Sequence, residues 1–91
     1  MQQEEMVNLV VEAVRLEIQE TTGAIGATTL LQELKGFDSL LVANLLERLE
    51  SHLGFEMDPA LILPETFVSP LTIAEALMQS QLRMQNDVLS H

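Results

Sequence analysis

The sequence predicts an all-α fold, a small four-helix bundle of three main helices and one short one, with a long first loop. Three observations carry that prediction. Apolar residues recur at helical spacing in three separate stretches. The apolar side chains are mostly Leu, Val, Ile, Ala and Met, with three Phe and neither Trp nor Tyr, a set suited to helix packing. Helix stop and start residues fall between the periodic stretches. At 91 residues the chain suits a single domain over 1–91, burying roughly 60 to 65 per cent of the surface its unfolded form exposes. A hydrophobic content of 47% is too high for a disordered chain.

The first helix is expected over about 3–20, where Val7, Val10, Val11, Val14 and Ile18 form an apolar stripe among Glu4, Glu5, Glu12 and Arg15. Thr21-Thr22-Gly23 stops it, with Gly23 suited to a left-handed cap. A partly ordered loop follows over 21–37, from which Leu30, Leu31 and Leu34 are spaced to drop back onto the core. The second helix is expected over about 38–53: Asp38 or Ser39 supplies the N-cap, Val42, Leu45, Leu46, Leu49 and Leu53 keep helical spacing, and Gly54 ends it. Pro59 and Pro64 leave room only for a short helix over about 62–68. Ser69-Pro70 opens the last helix, about 70–83, with Ile73, Ala74, Leu77 and Met78 inward. The tail over 84–91 is expected to fray.

Four basic against fourteen acidic residues give a net charge of −10. That field repels phosphate backbones and anionic membrane surfaces, and it favours partners carrying Lys and Arg patches. Neither nucleic acid nor a membrane is an expected partner, and the chain is expected to be a monomer. The first residues are acidic where a targeting peptide is basic, and no apolar run approaches the ~18 residues of a membrane span. A cytoplasmic location follows as an expectation. With no cysteine, disulfides and thiolate metal sites are excluded.

No catalytic constellation can be assembled. The two histidines are His52 and His91, and His52 lies 13 residues beyond Ser39, roughly 20 Å along a helix. Glu47, Arg48 and Glu50 read as the solvated face of the second helix, no carboxylates match a calcium loop, and Gly23, Gly26 and Gly36 do not make a phosphate-cradling loop. No metal site is expected. What remains is Gly36-Phe37-Asp38-Ser39-Leu40, a serine at the start of an amphipathic helix. The free N–H groups there favour an anion attached at Ser39, although an N-cap alone also accounts for an Asp-Ser pair.

Asp38-Ser39-Leu40 in a small, acidic, cysteine-free helical chain resembles the acyl carrier protein family. The likeness continues through Leu49-Glu-Ser-His-Leu-Gly-Phe55 and Glu65-Thr-Phe-Val-Ser-Pro-Leu-Thr-Ile-Ala-Glu-Ala-Leu77, and so spans most of the chain. It implies a non-catalytic carrier with 4'-phosphopantetheine, taken from coenzyme A by a phosphopantetheinyl transferase, joined to Ser39 through a phosphodiester. Asp38 would present the serine. The cargo would be acyl, aminoacyl or peptidyl groups held as thioesters, and the partners loading enzymes, a ketosynthase or other pathway enzymes with basic docking patches.

The resemblance also implies that Leu40, Leu41, Asn44 and Glu47 meet partners. For Leu41 the residue pattern leaves core and partner contact both open. Val42, Leu46, Phe37, Phe55, Phe67 and Ile73 read as core or as lining for a short acyl chain. The fatty-acid type usually has acids two and five residues after the serine, where this chain has Leu41 and Asn44. That difference points to carriers of polyketide or hybrid polyketide and nonribosomal peptide pathways, with a fatty-acid-type carrier as the alternative. Lys35 between Leu34 and Gly36 lengthens the loop by one residue relative to many members. Outside the resemblance stands an unmodified acidic helical adaptor in which Ser39 only caps.

Overall fold

In the first helix, α1 (Gln3–Ile18), Met6, Val7, Val10, Ala13 and Val14 are buried while Glu4 and Glu5 occupy the first turn, where acidic side chains suit the helix dipole. The structure is a computed structural model and describes residues 2–18, 25–34 and 36–89, with backbone alone from 85 to 89. Gly23, Lys35 and His91 lie outside the described residues, as do the last turn expected of the first helix and the loop that follows it over 19–24. Among the described residues the fold is all-α, with no strand.

α2 (Ser39–Leu53) begins after Asp38, whose Oδ1 accepts the Leu41 N–H at 2.8 Å. It ends at Gly54, which sits at φ 80° and donates its N–H to Glu50 O. A side chain there would be strained, so the glycine is required by the turn. α3 (Pro70–Leu89) opens on a reciprocal cap. The Ser69 N–H donates to Thr72 Oγ1 at 3.0 Å and the Thr72 N–H donates to Ser69 Oγ at 3.3 Å, while Pro70 takes the first helical position.

α1 packs against both α3 and α2. Met6, Val10 and Val14 from α1, Leu45 and Leu49 from α2, and Ile73 and Leu77 from α3 are all at most 1% exposed and form one core with Phe55, Met57 and Phe67. The loop before α2 is tied to the start of α3 by the Leu31 N–H to Val68 O and by the Leu71 N–H to Ala27 O, both 2.9 Å. Leu31 is fully buried and Leu34 packs on the core. Leu30, expected to face inward as well, is instead 49% exposed, because Leu31–Glu33 turns as a 3₁₀ helix and only one of two adjacent leucines can face the core.

The short helix expected over 62–68 is a 3₁₀ helix, Pro64–Phe67, preceded by another at Pro59–Leu61. Their bonds reach three residues back, from Leu61 N–H to Asp58 O, from Ile62 N–H to Pro59 O and from Thr66 N–H to Leu63 O. Two prolines so close together leave no run long enough to close α-helical turns. The last helix continues to Leu89 instead of ending near 83. No Gly or Pro follows Pro70, so nothing in the sequence stops it. No helix among the described residues is long and apolar enough to cross a membrane.

Candidate functional site

Ser39 is the first residue of α2 and is exposed. Its position follows from Asp38, which stays in extended backbone (φ −145°, ψ −177°) and caps the helix by taking the Leu41 N–H. The cap therefore falls to Asp38, and the Ser39 hydroxyl is left at the head of the helix. Asp38 takes the Leu41 N–H of the first turn, and the Ser39 and Leu40 N–H groups ahead of it have no acceptor within the helix, so an anion on Ser39 would meet those two donors and the positive end of the dipole.

Beside Ser39 opens a cleft of about 280 Å³, lined by Phe37 and Val42 on one side, by Ile62, Leu63, Pro64 and Phe67 on the other, and by Gln32. An exposed hydroxyl, open backbone donors and an adjacent apolar cleft fit a phosphodiester that continues into a slender organic arm. Of the residues read as core or lining, Phe67 is buried in the core and also lines the cleft, while Phe37 and Val42 pack partly against the core and line the cleft too. Phe55 and Ile73 are core, and Leu46 packs against it.

Leu40 is 68% exposed beside Ser39. Asn44, Glu47 and Ser51 are exposed too, and their spacing of four, three and four residues continues one stripe down α2 from Leu40. Leu41 is a correction to the expected partner-facing set. It is 8% exposed, since it heads the inward row Leu41, Leu45, Leu49. Asn44 and Glu47 also line a shallow hollow with Glu17, Arg48, Ser51 and His52, within which Arg48 Nε donates to Glu17 Oε1 at 2.8 Å. His52 closes α2 at the opposite end from Ser39. Among the described residues no three His, Cys, Asp or Glu side chains cluster as metal ligands.

Ile62 and Leu63 were missed by sequence reasoning. Both are large and apolar yet 44% and 43% exposed, and they form the outer wall of the Ser39 cleft. The available signal was the apolar run Ala60-Leu-Ile-Leu63 between two prolines, a stretch too short to form a buried helix of its own.

A family model described as a phosphopantetheine attachment site matches residues 8–77. No curated protein and no solved structure matches the chain.

Proposed function

The chain belongs to the phosphopantetheine-attachment family, and on that premise we propose that it holds the group on Ser39 and shuttles acyl or aminoacyl cargo between the enzymes of a polyketide or hybrid polyketide and nonribosomal peptide pathway. Domains of this family are the sites of covalent 4'-phosphopantetheine attachment. They are generally non-catalytic carriers, modified by a phosphopantetheinyl transferase and visited by pathway enzymes. The observation that carries the assignment to Ser39 is its exposed place at the first position of α2, capped by Asp38 and facing an apolar cleft.

When bound, the group supplies a terminal thiol, and so thioester chemistry, to a chain with no cysteine. Ser39 offers its hydroxyl to the transferase, and the base that removes its proton belongs to the transferase. Asp38 fixes the start of α2 and thereby where that hydroxyl points. The Ser39 and Leu40 N–H groups, ahead of the one that Asp38 caps, would hold the phosphodiester charge together with the positive end of the α2 dipole. Phe37, Val42, Ile62 and Leu63 give the first atoms of the arm an apolar bed. Leu40, Asn44 and Glu47 form the stripe that partners read, and the net charge of −10 speeds the approach of their basic patches.

The absence of acids at Leu41 and Asn44 supports a polyketide or hybrid pathway over a fatty-acid one. In this reading the chain works as a monomer in the cytoplasm. The test is loading from coenzyme A and magnesium by a promiscuous transferase. The wild-type chain gains one phosphopantetheine and Ser39→Ala gains none while keeping its helical content. Loading of the alanine variant would move the site elsewhere, and a wild-type chain that neither loads nor arrives modified would favour the adaptor.

A further inference from the structure

The outer wall of the Ser39 cleft belongs to a segment, 59–65, that touches the core through Leu61 and is fastened at its two ends by hydrogen bonds to side chains. From Pro59 to Glu65 every residue is exposed or half-exposed, and this stretch includes Ile62, Leu63 and Pro64 of the cleft. At its far end Thr66 is buried, donating Oγ1–H to Leu61 O at 2.6 Å and accepting at its carbonyl from Thr72 Oγ1 at 2.8 Å. At its near end stands Asp58. Its N–H donates to the buried Ser80 Oγ at 2.8 Å, its Oδ1 accepts the Ala60 N–H at 2.9 Å, and its Oδ2 accepts from Arg83. Ser80 is itself fixed by donating to Ala76 O at 2.9 Å. One aspartate thus joins the start of the exposed wall to two residues one turn apart on α3.

We infer that Asp58, through Ser80 and Arg83, is a positioning residue for the chemistry at Ser39: it sets where the Ile62–Leu63 wall stands, and so the shape that a transferase finds beside the serine. Burial does not hold Ile62 and Leu63 themselves, which are exposed; of their neighbours Leu61 packs only partly on the core. The Ala60 and Arg83 contacts also hold the Asp58 carboxyl below its ordinary value of 3.8, so it is charged and the clasp is closed throughout the neutral range. This inference rests on Ser39 being the loaded residue, but its first arm does not.

The first arm is amide hydrogen exchange on the unmodified chain. In Asp58→Ala, which keeps the backbone bond to Ser80 but loses the Ala60 and Arg83 contacts, and in Arg83→Ala, protection of the hydrogen-bonded amides of Ile62 and Leu63 falls about tenfold while amides of α1 and α2 are unchanged, since only the wall opens. Arg83→Lys, which can still pair, restores most of it. The second arm is loading kinetics. Asp58→Ala raises the KM for the carrier about tenfold and leaves kcat within about twofold, the split expected when the docked shape is lost and the hydroxyl is not.

Unchanged exchange at Ile62 and Leu63 overturns the clasp whatever Ser39 does. Lost protection with an unchanged KM also overturns the inference, because Asp58 would then be structural only. If the wild-type chain does not load, the attachment reading fails, and with it the role at Ser39, while the exchange arm still decides whether Asp58 sets the wall.

Discussion

Asp38 is given two jobs, capping α2 and presenting Ser39, and replacing it with alanine and with asparagine separates them. Its Oδ1 takes the Leu41 N–H at 2.8 Å. Without the carboxylate that N–H loses its side-chain acceptor. Loss of such a cap costs about 1 kcal/mol, within a range of about 0.5–2. For a domain of 60–100 residues, about 1 kcal/mol corresponds to a fall in Tm of roughly 4–8 °C.

Asparagine caps about as well as aspartate, so Asp38→Asn keeps the wild-type Tm. It carries no charge, however, and loading by a transferase slows in both variants if the carboxylate helps to present the serine. Melting followed by circular dichroism reads the first effect and intact mass over time reads the second. An alanine variant that melts with the wild type would refute the cap argument. An asparagine variant that loads at the wild-type rate would reduce Asp38 to a cap alone.

Leu49 is 1% exposed at the centre of the core, and Leu49→Ala lowers stability by about 2–5 kcal/mol; urea unfolding measures it, and a shift below about 1 kcal/mol would mean that this part of the core is loose. Gly54→Ala meets no atom within 4 Å but keeps φ at +80°, so its cost is conformational alone, about 1–2 kcal/mol, and an unchanged unfolding midpoint would contradict the left-handed cap. Asp58 has a depressed pKa, caused first by the Ala60 N–H and then by Arg83. Its contribution is therefore complete above pH 3.8 and is lost as pH falls through the lower folded value. Exchange protection at Ile62 and Leu63 stays flat from neutral pH down towards that value and fades below it, and fading near pH 6 would point to another group.

What the sequence made legible was governed by local rules. The valine stripe of α1, the Asp38 cap, the Gly54 stop and the Ser69-Pro70 start each depend on neighbours within a turn, and each is found where those rules put it. Leu41 was ambiguous because two leucines follow Ser39, and only the spacing to Leu45 and Leu49 tells the buried one from the exposed Leu40. The segment 56–67 was hardest to read, since its course is set by distant partners: the Glu50 carboxylate accepting the Met57 N–H at 2.9 Å, Ser80, Arg83 and Thr72. No periodicity in Ala60-Leu-Ile-Leu63 announces that it turns two apolar side chains towards Ser39.

The measurement that bears most directly on the account is intact mass followed by peptide mapping, after incubation with coenzyme A, magnesium and a promiscuous transferase. Attachment at Ser39 predicts a gain of one phosphopantetheine, carried on the peptide containing Asp38-Ser39-Leu40 and absent from Ser39→Ala. A gain on any other peptide, or none from a chain that also arrives unmodified, would contradict it.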